Sequence, residues 1–495
     1  MLKMQCYILV VLLLVLASYK SYAQDATHVI SSTPVSIAAP SVDSFLVANH
    51  LDDIADSSFV IRKIIIEGNK TTRRLIMLRE LAFHEGDTIK RSAVPDLFKD
   101  GRNLLMNTQL FHNVNISIIG LSAPYVDIQI VVKERWYILP FVYFKPVDRN
   151  LSQWLFKEKA SFARVDYGAK LLWSNFTGNN DKLNFYFVTG YTKQLMVNYR
   201  RPYIDKGLKW GMNLDFAIGK NREINFNTID DKQAFYKDSA SYIKDFSRAN
   251  IEFTYRKAFY TSHTFGVSYN TLNVKDTILK LNPIFFIHGK NSVRYPSIYY
   301  KLAYVNLDYI PYPKQGYAGE LFFIKQGFDK NMNMWQLIAK GMASWPIGKS
   351  SFWNVKALGT VKLPFEQPYF NTQDLGYGDL FLRGYEYNVI DGVAGGLIGV
   401  TAAQQLTNFS FHIPYTEWLT PRQIPLKIYG KVFGNMGYVY RHPDRGPNEL
   451  PNKMLFGGGV GLDLFTSYDL IISLEFSFNQ LGQNGLYLHK KDYSD

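Results

Sequence analysis

The feature that most constrains this chain is a period-two alternation of apolar and polar residues, which runs through most of it after residue 135. In the segment 470–479, Leu474 and Phe476 fall on one face of an extended strand, whereas Ser473, Glu475 and Ser477 fall on the other. Similar strips recur at 183–191, 208–218, 251–259, 299–309, 321–328, 352–361 and 428–440. Each is about ten residues long, as in a tilted strand that crosses a bilayer, so the pattern predicts an all-β transmembrane barrel.

The connections between these strips alternate in length. Short turns at 176–180, 203–207 and 310–316 are interspersed with long segments at 220–244, 275–294, 364–392 and 441–453. This asymmetry is typical of outer-membrane barrels and disfavours the alternative, a soluble all-β protein. An even number of antiparallel strands closes a sheet without exposed edges, and we predict sixteen. They lie near 136–146, 161–175, 181–192, 194–201, 208–219, 246–258, 262–273, 295–308, 317–328, 333–345, 351–363, 395–412, 425–440, 454–466, 469–479 and 485–490.

Aromatic residues divide the chain into two parts. Of the 34 Tyr, 35 Phe and 8 Trp, 68 follow Arg135 and five lie between residues 59 and 135. We therefore predict a boundary near Arg135, with the barrel at 136–495. The chain has no apolar run of 18 residues, and 20% of its residues are charged. Both observations argue against a helical membrane protein.

The first 23 residues have the organisation of a secretory signal peptide. Lys3 supplies a positive charge, Cys6 to Ala17 is an apolar run, and cleavage is expected after Ala23. An uncleaved anchor is the alternative, but the apolar run is short for a bilayer-spanning helix. Residues 24–58 contain Pro34 and Pro40 among small and polar residues and are predicted to be a linker.

Residues 59–135 predict a small α+β domain. The run 60–67 is a strand, one helix follows Thr71 or Thr72 and another follows Ser92, and strands are expected at 114–118 and 126–132. The order β-α-α-β-β gives a small sheet with two helices on one face.

Signals for catalysis are weak. Gly348-Lys349-Ser350 lacks the first glycine of a phosphate-binding loop, and His84-Glu85 lacks the second histidine of a zinc-binding helix. The sequence predicts no enzyme, no catalytic residue, no metal or other cofactor, and no nucleic-acid partner.

Four motifs resemble those of the bacterial surface antigen family, the superfamily of BamA, TamA and two-partner secretion transporters. Residues 59–135 look like its polypeptide-transport-associated (POTRA) domain, a periplasmic domain, and the remainder looks like its barrel. Leu382-Arg383-Gly384-Tyr385 matches the tip motif of the sixth extracellular loop. The other matches are a turn with Pro313 and Gly316, the strand-thirteen motif from Phe433 to Gly437, and the glycine-rich strand with Gly459 and Gly461.

The resemblance implies that Arg383 folds back into the barrel and meets an acidic residue of strand thirteen. Here that position is Asn435, which carries no charge. Since a buried arginine without an acid is costly, we expect Arg383 to pair with Asp463, assisted by Asn435, with Glu475 as the alternative counter-charge.

The resemblance further implies an outer-membrane protein that inserts outer-membrane proteins or translocates polypeptides without nucleotide. Its expected partners are outer-membrane lipids and unfolded outer-membrane or secreted polypeptides, with periplasmic chaperones or accessory lipoproteins as further candidates. Clients would pair with a gate between the first and last strands, or with the POTRA-like sheet edge at Val114, Ile116 and Ile118. The alternative is a barrel for passage of lipid or small solutes, with a periplasmic docking domain.

Overall fold

A computed structural model describes residues 58–146, 154–155, 159–162, 165–238, 240–377, 381–412, 423–442, 448–466 and 469–491. The predicted signal peptide and all but the last residue of the predicted linker lie outside these residues. The chain divides into two compact units, Met1–Val142 and Tyr143–Asp495.

The first unit contains one four-stranded sheet and two helices. The elements are β1 (Ser58–Glu67), α1 (Arg74–Arg79), β2 (Thr88–Lys90), α2 (Val94–Asn107), β3 (Phe111–Ser122) and β4 (Tyr125–Glu134). The sheet order is β2-β1-β4-β3, with β1 and β4 parallel and the other pairs antiparallel. The predicted succession is therefore present with one addition, the three-residue β2. It is too short to show alternation, and its pairing to β1 is made only in the folded domain.

The core of the first unit is apolar. Ile61 on β1, Leu105 on α2 and Ile128 on β4 are fully buried in one cluster. Pro95 near the start of α2 and Asp96 in its first turn favour helix initiation there. Gly101 lies inside this helix and faces Phe83 closely, so a side chain at this position would crowd the core.

The second unit is built on a sixteen-stranded antiparallel sheet. It comprises β5–β9, β12–β17 and β20–β24, in sequence order along the sheet, with β5 and β24 at its two ends. The predicted sixteen strands are confirmed, with ends that shift by at most a few residues. The strands of this part of the chain are β5 (Ile138–Pro146), β6 (Val165–Ser174), β7 (Lys182–Gly190), β8 (Thr192–Arg201), β9 (Trp210–Asn221), β10 (Glu223–Ile229), β11 (Lys232–Lys237), β12 (Lys244–Tyr255), β13 (Thr261–Val274), β14 (Ser292–Leu307), β15 (Gly316–Asp329), β16 (Met332–Pro346), β17 (Ser351–Leu363), β18 (Gln373–Leu375), β19 (Ile390–Asp391), β20 (Ala394–His412), β21 (Gln423–Tyr440), β22 (Leu455–Phe465), β23 (Ile471–Asn479) and β24 (Asn484–Lys491).

The sheet has an apolar outer face and a polar inner face. On β23, Ser473, Glu475 and Ser477 are buried, whereas Leu474 and Phe476 are exposed. A soluble sandwich would bury the apolar set, so this inverted pattern is that of a barrel in lipid. Every helix within the described residues is too short or too polar to cross a membrane.

Long connections at one end of the barrel carry structure of their own. Strands β10 and β11 form a hairpin, α3 (Asp276–Leu281) follows β13, and α4 (Tyr369–Thr372) and the β18–β19 pair lie between β17 and β20. Their apolar residues, including Ile278, Phe285 and Tyr369, form one buried cluster. Through Tyr369, this cluster anchors the first part of the connection between β17 and β20.

Candidate functional site

The connection between β17 and β20, residues 364–393, folds into the barrel and is called loop six here. Its residues Leu382 and Tyr385 are almost fully buried and belong to one cluster with Val439 on β21 and Leu455 on β22. Burial of two large apolar side chains fixes the tip of the loop against the inner wall. Residues 378–380 of the loop lie outside the described residues.

A tight turn at Gly384 presents the loop tip to β23. Gly384 has φ of +97°, in the left-handed region that favours glycine. Its carbonyl accepts a hydrogen bond of 2.7 Å from Nδ2 of Asn479 at the end of β23. Its N–H donates to the Glu386 carboxylate at 2.9 Å, so the N–H and the carbonyl of Gly384 are both held.

Arg383 points to β20 and β21. Its Nε and Nη2 donate to Oδ1 of Asn435 at 3.1 and 2.9 Å, and Nη2 also donates to Oγ1 of Thr401 at 3.0 Å. The guanidinium lies 4.0 Å from the centre of the Phe433 ring, a cation–π distance. The uncharged Asn435 thus accepts Arg383, and Phe433 of the same motif supports it.

The expected direct pairing of Arg383 with Asp463 is not formed within the described part of the chain. Lys431 on β21 lies between the carboxylates instead, with Nζ 2.5 Å from Oδ1 of Asp463 and 2.5 Å from Oε1 of Glu475. Tyr312 and Ser473 also donate hydroxyl hydrogen bonds to Asp463. Asp463, Glu475 and Glu386 therefore act on Arg383 only as charges at longer range.

Sequence reasoning missed Lys431, although a signal was present. Lys431, Phe433 and Asn435 occupy every second position of β21, so their side chains all face the lumen. A lysine two residues before the strand-thirteen motif is a candidate partner for any lumen carboxylate. Here Lys431 forms ion pairs with both Asp463 and Glu475.

Glycines leave room for the loop against the wall. A Cβ at Gly457 on β22 would lie 2.2 Å from the Arg383 carbonyl oxygen, which no side chain tolerates. At Gly437 it would lie 3.3 Å from Leu382, at Gly459 2.8 Å from the Phe433 ring, and at Gly461 3.0 Å from Lys431. The motif glycines thus surround the loop tip and its charged neighbours.

The turn with Pro313 and Gly316 lies between β14 and β15. Asp308 accepts the backbone N–H groups of Lys314 and Gln315 at 3.0 and 3.1 Å, and Gly316 has φ of +110°. Tyr312, directly before this motif, donates its hydroxyl to Oδ2 of Asp463 at 3.0 Å. The turn therefore contributes to the lumen network, a link that the sequence did not reveal.

The proposed client edge lies in the first unit on β3, which is an end strand of its sheet. Val114 and Ile116 are buried and Ile118 is partly buried, so their side chains face the core. At these three residues only the backbone is available to pair with a client strand. Nε of Arg102 already donates to the Val114 carbonyl at 3.0 Å. A client strand that pairs there would have to displace Arg102.

Comparisons with known proteins agree with this architecture. The family model described as "Omp85 superfamily domain" matches residues 175–479, and the POTRA model, described as "Surface antigen variable number repeat", matches residues 59–135. A comparison with curated proteins finds no match.

Among solved structures, CdiB from Escherichia coli is similar, with a TM-score of 0.51 and 12% identity over 87% of this chain and 75% of that one. BamA from Haemophilus ducreyi lacking POTRA domains 1–3 has a TM-score of 0.49 and 15% identity over 87% and 83%. CdiB from Acinetobacter baumannii has a TM-score of 0.45 and 11% identity over 88% and 73%. At 12% identity, the similarity to CdiB from Escherichia coli is a similarity of fold alone.

Proposed function

We propose, for a chain that belongs to the Omp85 superfamily, that it inserts proteins into the outer membrane or translocates polypeptides across it. The chain is an outer-membrane barrel, and its POTRA domain lies in the periplasm. It belongs to a family of assembly and transport proteins, not of enzymes. No nucleotide is needed in this proposal, because folding of the client supplies the driving force.

The observation that carries the proposal is the short last strand. β24 spans eight residues and pairs with β23, whereas β20 and β21 span 19 and 18 residues and pair along most of that length. A strand of eight residues can form few ladder hydrogen bonds to β5, the other end strand, so the seam between β24 and β5 opens more easily than a seam between strands as long as β20 and β21. A client strand would then pair with an exposed sheet edge by β-augmentation.

Loop six supports the proposal because it stabilises the wall next to this strand. The loop tip is bound to the end of β23 through Asn479 and to β21 through Arg383. The wall up to β23 is therefore held from inside, and opening is expected at the seam between the end strands β24 and β5.

The POTRA domain is the proposed site of first contact with unfolded polypeptides. Beyond Val114, the β3 edge carries the exposed residues Asn115 and Ile119 next to its backbone. A photo-crosslinking amino acid at Asn115 should capture periplasmic polypeptides, whereas the same group at Lys99, on the exposed face of α2, should not. Equal capture at both positions would contradict the proposed edge. Chaperones and lipoproteins are identified by the same capture experiment.

Depletion of the protein, followed by proteomics of the outer membrane, tests the function itself. The expected result is loss of a defined set of barrel or secreted proteins. Unchanged protein content with altered lipid asymmetry or solute permeability would favour the alternative function, passage of lipid or small solutes.

Movement of β24 is tested with cysteine pairs, because Cys6 in the predicted signal peptide is the only native cysteine. Phe144→Cys on β5 and Leu486→Cys on β24 place one cysteine at an exposed position of each end strand, for treatment with bismaleimides of increasing length. The control joins Phe476→Cys with Leu486→Cys, which are register partners on β23 and β24. We expect the first crosslink to abolish client insertion and the control to reduce it less. Full function with the first crosslink in place would exclude separation of the end strands as the mechanism.

A further inference from the structure

Three potential metal ligands converge beside the loop tip. They are Glu386 of loop six, Glu475 of β23 and His489 of β24, and their ligand atoms all lie within 4.8 Å of one another. Nε2 of His489 is 3.6 Å from Oε2 of Glu475 and 3.8 Å from Oε1 of Glu386. Each residue comes from a different segment, so this group exists only in the folded barrel.

Two of these atoms have unmet bonding capacity. Oε2 of Glu475 and Nε2 of His489 are buried, and neither has a hydrogen-bond partner among the described residues. A buried polar atom without a partner costs about 1–3 kcal/mol. The two atoms face one another at 3.6 Å, which leaves the space between them as the natural place for a cation.

Lys431 bonds the other oxygen of Glu475, with Nζ 2.5 Å from Oε1. Oε2 of Glu475 is therefore left on the side of His489.

We propose that Glu386, Glu475 and His489 bind a divalent transition metal of the Zn²⁺ class. Zn²⁺ takes one imidazole nitrogen and carboxylate oxygens at about 2.0–2.2 Å, so that ligand atoms in a tetrahedron are about 3.3 Å apart. Shifts of a few tenths of an ångström bring the two His489 distances, 3.6 and 3.8 Å, to this value, and the Glu386 and Glu475 oxygens, which lie within 4.8 Å of one another, would move together on binding. Water completes the fourth position.

Neighbouring groups already orient two of the ligands. The Glu386 carboxylate accepts the Gly384 N–H at 2.9 Å, and the Phe381 ring stacks on the His489 ring at 4.9 Å between centres. Such fixed orientation lowers the cost of assembling a metal site. The metal would join β24 to loop six and β23, and so resist separation of the last strand.

The test uses the full chain without a histidine tag, purified in detergent, stripped with a chelator and then titrated with Zn²⁺ alone. We expect one bound Zn²⁺ per chain by elemental analysis after gel filtration, and a higher temperature for loss of the compact form on gels. His489→Gln and Glu475→Gln should each weaken Zn²⁺ binding at least tenfold. His263→Gln is the matched control, since His263 bonds Tyr300 and lies outside this group.

Gel mobility without heating shows whether each variant is folded, and Co²⁺ absorption in the native chain gives a second reading of the ligand set. A native chain that retains no stoichiometric Zn²⁺ would overturn the proposal. So would unchanged binding in a folded His489→Gln variant. The proposal would also be wrong if the native chain binds no Zn²⁺ but becomes less stable as the pH rises, while the His489→Gln variant does not. In that case a proton, and not a metal ion, would occupy the space between the ligands.

Discussion

The two units of this protein differ in the charges that they bury. The POTRA domain buries Ile61, Leu105 and Ile128 in one apolar cluster, whereas the barrel buries Lys431 and Asp463 as an ion pair beside its own apolar clusters and exposes Leu474 and Phe476. In the first unit, removal of apolar surface from water is the stabilising force. In the barrel, lipid takes that role outside, and the interior must satisfy its charges by pairing. We therefore expect the most destabilising substitutions to remove buried apolar side chains in the POTRA domain and buried charged partners in the barrel.

The largest effect is expected in the lumen, for Lys431→Met. Loss of the cation leaves Asp463 and Glu475 buried close together, and such a break typically costs about 3–5 kcal/mol. Urea unfolding of the barrel in detergent, followed by tryptophan fluorescence, measures it. The control Lys340→Met removes a partly exposed pair with Glu320 and should cost less than about 1 kcal/mol. Equal losses would show that the lumen solvates its charges as bulk water does.

The corresponding change in the POTRA domain is Leu105→Ala. Its side chain is fully buried, so the expected cost is about 2–5 kcal/mol from lost burial and the cavity that remains. Protease protection of this domain in the full chain, measured against temperature, should fall while the gel mobility of the barrel stays unchanged. Leu75→Ala on the exposed side of α1 is the control and should have little effect.

A smaller effect is expected for Gly457→Ala. The new Cβ would overlap the Arg383 carbonyl oxygen, so loop six must shift, at about 1–3 kcal/mol. Gly434→Ala on β21 meets open space and is the matched control. Urea midpoints of the two variants measure the difference, and identical midpoints would contradict the docking of loop six on β22.

The smallest effect is a pH dependence of the POTRA domain. The backbone N–H of Ile64 and the charge of Arg74 lower the pKa of Glu85 below its usual value. A lowered folded-state pKa stabilises the domain above the unfolded pKa, and this contribution is lost as the pH falls through the folded value. Protease protection between pH 5 and 3 should therefore decline less steeply in Glu85→Gln than in Glu67→Gln. Because Glu85 is exposed, the difference should be small, and none at all would mean that this carboxylate does not support β1.

The strands were predictable because their signal is local. Alternation along 470–479 already separates Ser473 and Glu475 from Leu474, and the structure buries and exposes the same two sets. Gly384 was singled out only as part of the loop-tip motif, and its left-handed backbone, with φ of +97°, is seen only in the structure. The hairpin of β10 and β11 was missed because it lies inside a long connection, where pairing depends on the loops packed around it.

The sequence by itself determined the number of strands, the order of elements in the POTRA domain and the residues that face inward. These follow from backbone periodicity, which each segment carries alone. Only the tertiary structure decided how the charges are partnered: Lys431 between Asp463 and Glu475, Arg383 on Asn435, and Glu386 beside His489. Charge pairing in a lumen depends on how far each strand is displaced along its neighbour, and that displacement is fixed only when the whole sheet closes around loop six.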